Sequence, residues 1–205
     1  RFPKGSRFQL FPSASAGWRV SDEPFWSPLS KVVSDFKLRA SWGSLGNQIV
    51  GSYYPYISQY GMISSADYLF AGQKELAVMA PGLVAGDLTW ETVTTLDFGF
   101  DASFFNNKLS TSFDLYKRKT EGMLATAKTL PAVIGAKDPE VNAANLEVKG
   151  WEATIAWRDV ADDFRYDISF NISDYQGEIT KYEDETHVIG NHYVGERFGE
   201  IWGFR

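Results

Sequence analysis

The sequence lacks cysteine, long apolar runs and a surplus of basic residues, and each absence excludes a class of protein. Without cysteine there is no disulfide framework, no thiolate nucleophile and no cysteine-based zinc site. No stretch reaches about 18 consecutive apolar residues, which excludes a helical membrane span. A formal net charge of −6 and a pI near 5.0 argue against nucleic acid as a partner, because nothing here could neutralise a run of phosphates.

The amino terminus also lacks the features of a secretion signal. Residues 1–5 (RFPKG) contain no apolar core of the kind that a signal peptide carries. Outer-membrane proteins need such a signal for export. A membrane interpretation therefore predicts that the chain is a mature or, as we favour, an internal segment of a longer protein.

Alternation of apolar and polar residues is the dominant pattern, and it recurs in segments of about ten residues, the length that a tilted strand needs to cross a bilayer. In one segment Leu96, Phe98 and Phe100 share one face, while Asp97 and Gly99 lie on the other. This pattern predicts antiparallel strands with one apolar and one polar face. The six segments lie at residues 8–21, 36–43, 95–104, 109–116, 151–158 and 164–173.

The connections between these segments differ in length. Asn106 and Asn107 predict a tight hairpin turn because asparagine tolerates φ > 0, and residues 159–163 form a short acidic turn. Residues 22–35 form an intermediate connection. Short turns at one rim and long loops at the other are typical of outer-membrane barrels and uncommon in compact soluble domains. The long connections are residues 47–89, with a weak helix candidate at 65–79, residues 120–146 and residues 176–195.

Aromatic residues make up 16% of the chain, which suits either a membrane barrel or a carbohydrate-binding β-sandwich. Several rings lie near predicted strand ends, where amphipathic side chains favour the membrane interface. The predicted interface residues are Trp18, Trp26, Tyr116, Trp157 and Tyr175.

Five short motifs follow one another along the chain: residues 11–25 (FPSASAGWRVSDEPF), 37–43 (KLRASWG), 88–92 (LTWET), 114–120 (DLYKRKT) and 150–152 (GWE). In this order they resemble the SusC/RagA family of TonB-dependent outer-membrane transporters, with Trp42 where that family more often has tyrosine. The resemblance covers nearly the whole chain. It is weakest in the loops at 48–87 and 121–145, which vary with substrate in the family.

The resemblance implies an all-β fold, namely a segment of an antiparallel transmembrane barrel of about 22 strands. Residues 1–205 would be part of the barrel domain, without its plug and remaining strands. It also implies a location in the outer membrane, in contact with its lipid, of a Gram-negative bacterium of the Bacteroidota kind. The implied function is active import of an oligosaccharide or peptide with a SusD-like lipoprotein, driven by TonB through the absent plug and using no cofactor.

If the long loops face outward, the aromatic residues of the first loop are candidate ligand contacts. Tyrosine rings stack on sugar or peptide faces while their hydroxyls hydrogen-bond to polar groups. Packing within the loop is the alternative role. The candidates are Tyr53, Tyr54, Tyr56 and Tyr60.

Charged residues on the polar faces are expected to pair across strands rather than to line a transport path. They are Lys37, Arg39, Glu91, Asp97, Asp101, Glu152 and Arg158. The acidic residues 183–185 with His187 and His192 match no metal-binding loop and are expected to be a solvated loop. No nucleophile elbow or phosphate-binding motif occurs, so we expect neither catalytic residues nor a metal site.

Two other classes remain open. A secreted, soluble β-sandwich that binds carbohydrate has the same strand alternation, and it requires the aromatic faces to pack against each other instead of against lipid. A passive or purely structural barrel is the third possibility, and its parent protein would lack a plug.

Overall fold

The computed structural model describes residues 2–48, 53–63, 69–70, 72–74, 76–126, 131–136, 138–182, 192–201 and 203. Within these ranges the chain forms β1 (Ser13–Arg19), β2 (Val33–Asn47), β3 (Gly61–Ile63), β4 (Leu69–Phe70), β5 (Gln73–Lys74), β6 (Ala77–Met79), β7 (Glu91–Phe104), β8 (Leu109–Thr126), β9 (Glu140–Ala161) and β10 (Phe164–Lys181). Six of these strands make one antiparallel sheet, in the order β1-β2-β7-β8-β9-β10.

The remaining elements are short. Single turns of 3-10 helix occupy Val20–Asp22, Pro24–Trp26 and Ala132–Ile134. The strands of the first long loop pair as β3 with β6 and β4 with β5. The predicted helix over residues 65–79 is wrong where the structure describes it, because β6 pairs antiparallel with β3. In the described ranges no helix has the length and apolar character needed to cross a membrane.

The two tight turns of the main sheet follow the sequence prediction. Asn106 and Asn107 have φ of 57° and 65°, and the preceding Phe105 also has a positive φ of 54°. Asp162, between β9 and β10, has φ of 53°. These turns lie at one end of the strands, which we call the short-turn end. The other end of the same strands, where the long connections lie, is the long-loop end.

Three strands extend by several residues into connections that the sequence predicted as long loops. β8 continues to Thr126, β9 begins at Glu140 and β10 continues to Lys181. Parts of the predicted loops at 120–146 and 176–195 are therefore strand. Backbone pairing between neighbouring strands maintains the extended conformation there, although the alternation of apolar residues has ended.

In the middle of the sheet the strand register gathers the apolar side chains on one face. Leu38 lies opposite Phe100, and Phe98 lies opposite Leu115. Phe98, Leu115 and Ile155 on this face are 53%, 54% and 48% exposed, so among the described residues the face is not packed against a second sheet as a β-sandwich would require. We call this surface the apolar band; it consists of alternate residues of segments 14–18, 36–42, 96–104, 109–115, 151–157 and 164–172.

At the long-loop end the polarity of the two faces of the sheet is reversed. On the side of the apolar band, Lys117 and Lys149 are cross-strand partners. On the opposite side, which is polar in the middle of the sheet, Leu146 is the partner of Ile179, a side chain only 7% exposed. The sheet therefore presents an apolar inner surface only where the loops fold over it.

A small core forms at the same end. Trp90 lies between Phe2 and Phe11, with both ring centroids 5.5 Å away, and its Nε1 donates to the carbonyl oxygen of Ser6 at 2.9 Å. Phe2 and Leu88 are buried. These contacts attach residues 2–11 and the start of β7 to each other, so the main apolar packing lies beside the loops and not at the centre of the sheet.

Candidate functional site

The candidate site is the long-loop end, and one asparagine connects three segments of its base. Asn142 Nδ2 donates to the carbonyl oxygens of Thr89 at 3.0 Å and Gly122 at 2.6 Å, while its Oδ1 accepts from the Thr89 backbone N–H at 2.9 Å. Gly122 sits in a break of the β8–β9 register with φ of 69°, a conformation that favours glycine. Its N–H donates to Asn145 Oδ1 at 2.9 Å.

The first cavity at this end, the loop cavity, has a volume of about 330 Å³. It lies between the first long loop and the connection from β8 to β9. Apolar side chains supply much of its wall, and two carboxylates also line it. This arrangement suits a ligand with an apolar body and a few hydrogen-bond donors. Its lining includes Tyr54, Leu83, Leu88, Leu124, Asp138 and Glu140.

The four predicted tyrosines differ in their positions. Tyr54 lines the loop cavity, and Tyr56 packs edge-on against it with ring centroids 6.5 Å apart. Tyr53 and Tyr60 are 89% and 73% exposed. The structure therefore brings Tyr54 and Tyr56 together beside a cavity, and ligand contact by any of the four stays a prediction.

A second cavity of about 380 Å³, the rim cavity, lies on the inner face of the sheet. Leu146, Ile179 and Phe198 contribute apolar surface, and Tyr182 and His192 add polar atoms, with their rings 5.8 Å apart. Leu124 lines both cavities, so the two are neighbours.

The wall of the rim cavity beyond β10 is a segment that runs along the edge of that strand. Ile179 N–H donates to the Glu196 carbonyl at 2.9 Å, and Phe198 N–H donates to the Gly177 carbonyl at 2.9 Å. The Tyr193 hydroxyl donates to Glu200 Oε1 at 2.6 Å, and this hydrogen bond raises the pKa of Tyr193 to about 12.

Of the predicted acidic loop, the described ranges include His192. His192 Nδ1 lies 3.0 Å from Glu196 Oε2, a contact that sequence spacing did not single out. Residues 183–185 and His187 lie outside the described ranges. Among the described residues, no group of three or more histidine and carboxylate side chains is arranged to hold a metal ion.

The polar face between the two ends carries cross-strand ion pairs, as the sequence predicted for Arg39, Asp101 and Arg158. Arg39 Nε lies 2.8 Å from Asp101 Oδ2, and Arg39 Nη2 lies 3.0 Å from Asp114 Oδ1. Arg158 forms an ion pair with Asp167. The register explains the pair of Arg158 with Asp167, because these two residues are direct cross-strand partners. The acidic partners Asp114 and Asp167 were not singled out, since pairing between strands is not visible in one segment.

Three of the five predicted interface aromatics lie on the side of the apolar band at the short-turn end. Trp26 stacks on Phe36 with centroids 5.4 Å apart and planes 1° from parallel. Trp18 is the cross-strand partner of Leu38, and its Nε1 donates to a Glu23 carboxylate oxygen at 2.9 Å. Trp157 belongs to the band itself. Their membrane role remains a prediction.

Tyr116 and Tyr175 lie on the opposite, polar face, where both are cross-strand partners of Gly150. The ring of Tyr116 covers this glycine, since a Cβ at Gly150 would lie 2.5 Å from the Tyr116 hydroxyl oxygen. Their position near strand ends suggested an interface role, but the two-residue period of a strand turns them away from the band. Trp42 and Trp151 were not predicted to lie at the interface. They lie on the apolar band, at its boundary with the long-loop end.

Comparison with protein families gives a match over residues 1–200 to the family described as "TonB dependent receptor-like, beta-barrel". Among curated proteins, the chain is 34% identical over 183 residues to the TonB-dependent receptor SusC of Bacteroides thetaiotaomicron, covering 88% of the chain and 18% of that protein. It is 33% identical over 220 residues to the TonB-dependent receptor P3 of Formosa agariphila, covering 99% of the chain and 21% of that protein. The chain thus spans about a fifth of the length of these relatives.

Solved structures give the same fold. A structure of the RagAB peptide transporter matches with a TM-score of 0.73 and 25% identity, covering 88% of this chain and 19% of that one. The RagAB peptide importer in its closed-closed state matches with a TM-score of 0.78 and 23% identity, covering 95% of this chain and 21% of that one.

Proposed function

Because the chain belongs to the TonB-dependent receptor β-barrel family, we propose that it forms part of the wall of an outer-membrane nutrient importer. The observation that carries this proposal is the two-faced sheet, apolar outside and polar inside, whose long-loop end holds two adjoining cavities. A barrel wall needs the first property to face lipid. An importer needs the second to capture a ligand before transport.

The chain supplies six strands of this wall in the proposal, and the plug and remaining strands belong to other parts of a longer polypeptide. Two observations support this division. The chain covers about a fifth of its curated relatives. An open sheet in hydrocarbon would also leave backbone groups at its edges without hydrogen-bond partners, at a cost of several kcal/mol each.

The apolar band sets the orientation in the membrane. Its exposed side chains contact lipid, and Trp18, Trp26 and Trp157 lie at the interface next to the short turns. Short turns face the periplasm in barrels of this kind, and longer loops face the outside. The two cavities therefore open on the external side of the outer membrane.

The ligand in this proposal is an oligosaccharide or a peptide. Tyr54 offers a ring for stacking on either, and Asp138 and Glu140 are acceptors for hydroxyl or amide donors. The neighbour described as the RagAB peptide transporter, which is 25% identical to this chain, supports the peptide. The SusC relative supports the broader class of TonB-dependent uptake.

Two protein partners complete the importer. A SusD-like lipoprotein covers the long-loop end, and the resemblance of the sequence to the SusC/RagA family supports this arrangement. TonB supplies energy through the plug, which the family name of the chain supports. The proposed activity is transport and includes no chemical conversion of the ligand.

The test uses the full-length parent protein, purified with its lipoprotein from outer membranes, and measures binding of peptide and oligosaccharide mixtures separately. Replacing Tyr54 by alanine removes an aromatic contact and is expected to weaken binding of the active ligand by about 2- to 10-fold. Tyr53→Ala is the matched control, because Tyr53 is neighbouring and 89% exposed.

The outcomes separate the classes of function. Recovery of the parent in the outer membrane, with reduced ligand binding only in the Tyr54 variant, supports import through this site. Equal binding by both variants removes the loop cavity from the proposal. A stable, soluble parent that binds carbohydrate without detergent would overturn the importer and favour the secreted module.

A further inference from the structure

Three lysines follow the apolar band directly on its own face, at the long-loop end of β8 and β9. Leu115 and Trp151 are cross-strand partners in the last row of the band on these strands. Two residues further along each strand, Lys117 and Lys149 are partners in the next row. The surface therefore changes from apolar to cationic within one step of the strand period. Lys117, Lys149 and Lys119 form the lysine triad.

The triad carries more positive charge than its local partner neutralises. The ammonium nitrogens of Lys117, Lys119 and Lys149 lie 2.8, 3.9 and 3.1 Å from oxygens of the Glu147 carboxylate. Three cations around one anion leave a surplus of two charges (3 − 1 = 2). Among the residues that the structure describes, Glu147 is the only carboxylate within 4.0 Å of these ammoniums.

The lysine side chains of the triad are more exposed to solvent than the Glu147 carboxylate between them. The Glu147 side chain is 17% exposed, whereas those of Lys117, Lys119 and Lys149 are 39%, 51% and 68% exposed. An anion arriving from outside therefore meets the ammonium groups first. Glu121 on β8 and Asp174 and Glu178 on β10 place negative charge on the same face of the sheet. The surplus of positive charge is therefore local to the three ammonium groups around Glu147.

The height of the triad matches the headgroup layer of a bilayer. Two residues of strand advance about 7 Å, or about 5 Å along the membrane normal at the usual tilt of about 45°. The polar headgroup region adds about 5–7 Å to the hydrocarbon core on each side. Lysine stems also lie along apolar surface while their ammoniums reach polar surroundings. Trp151, directly below, is a residue type that favours this boundary.

We propose that the lysine triad binds the phosphate of an anionic lipid headgroup in the outer leaflet. The proposal rests on the proposed function for the orientation of the sheet in the membrane. A phosphate accepts hydrogen bonds from several ammoniums at once, and the surplus of positive charge is complementary to it. The lipid chains of the same molecule lie against Leu115 and Trp151.

The test compares the full-length parent with a variant carrying Lys117→Gln, Lys119→Gln and Lys149→Gln. Both are purified from outer membranes and washed in a non-ionic detergent, and native mass spectrometry then counts the phosphorus-containing lipids retained per barrel. Each lysine near an anionic membrane surface contributes about fivefold to binding, so the triple variant is expected to retain lipid on the order of 100-fold more weakly.

The matched control removes the same number of charges elsewhere, through Lys4→Gln, Lys31→Gln and Lys37→Gln, and is expected to retain lipid as the parent does. Resistance of the folded barrel to unfolding on unheated gels verifies that both variants fold. Equal lipid retention by the folded triad variant and the parent overturns the proposal. Loss of the lipoprotein with unchanged lipid also overturns it and assigns the triad to a protein contact.

A second measurement separates the two sources of phosphate. Binding of radiolabelled inorganic phosphate to the delipidated parent in detergent tests for a free-anion site. Strong binding that the triad variant loses, without preferential lipid retention, overturns the headgroup assignment. If the parent is absent from outer membranes, the proposed function fails first. If the parent is present there and the triad variant keeps its lipid, only this inference fails.

Discussion

The middle of the sheet and its long-loop end are built from the same strands, yet they place apolar side chains on opposite faces. In the middle, Phe98 and Leu115 face the band side, and Arg39 and Asp114 pair on the other. At the long-loop end, Lys117 faces the band side, and Leu146 and Ile179 face inward. In the proposed barrel this difference follows from what covers each part of the sheet: lipid would face the apolar band in the middle, whereas loops fold over the inner face at the long-loop end.

The largest expected effect breaks this comparison at the centre of the band. Phe113 stacks on Phe100 and Trp151, with centroids 5.8 and 6.3 Å away. Phe113→Lys places a charge against hydrocarbon and is expected to destabilise the full-length barrel by about 2–4 kcal/mol. The free energy of unfolding of the barrel in lipid vesicles, measured in urea, gives the change.

Two control variants distinguish the effect of the face of the sheet from the effect of the position along the strand. Thr94→Lys lies on the same face beyond the band, and we expect a cost of about 0–1 kcal/mol there. Ser112→Lys lies next to Phe113 on the polar face and is also expected to be mild. Equal costs for Phe113→Lys and Thr94→Lys would show that the band does not face lipid.

A smaller and more local effect sharpens the comparison at the long-loop end. Asn142→Ala removes the hydrogen bonds to Thr89 and Gly122 and leaves their backbone groups without this partner. We expect a local loss of about 1–3 kcal/mol, seen as faster amide hydrogen exchange at Thr89. Asn171→Ala, on an exposed position of β10, is the control. Unchanged exchange at Thr89 in the Asn142 variant contradicts the assigned role.

The smallest effect concerns the edge segment beside β10. The hydrogen bond to Glu200 raises the pKa of Tyr193 from 10.0 to about 12. Because the folded-state pKa is raised, its contribution to stability is fully present below pH 10.0 and is lost as the pH rises to about 12. Ultraviolet difference absorbance between the parent and a Tyr193→Phe variant gives the titration.

Glu200→Gln is the companion variant, since it removes the carboxylate that accepts this hydrogen bond. The pKa of Tyr193 is then expected to fall toward its ordinary value. A Tyr193 titration identical in the parent and the Glu200 variant would contradict the contact.

Much of the middle of the sheet could be predicted from single segments. The separation of Phe98 from Asp97 follows from the two-residue period of a strand, and the turn at Asn106 follows from the backbone freedom of asparagine. The long-loop end could not be predicted in this way. Asn142 joins Thr89 and Gly122 across 53 and 20 residues of sequence, and no local pattern reports such a contact.

The candidate site shows the same limit. Sequence identified four tyrosines by type and loop position, but only folding brings Tyr54 beside Leu124 and Glu140 from a different connection. Tyr116 shows the opposite case. Its nearness to a strand end suggested the membrane interface, while the register places its ring over Gly150 on the polar face.

The sequence by itself determined the strands, their two faces, the tight turns and the family of this protein, because each is recorded in residues that are close together in the chain. Only the tertiary structure decided that β8, β9 and β10 extend into the predicted loops, and that the apolar side chains change to the opposite face at the long-loop end. It also decided where the cavities lie and how the charges of the lysine triad are arranged. These depend on strand register. Register joins residues that are far apart in sequence, and its physical basis is the hydrogen bonding between neighbouring backbones.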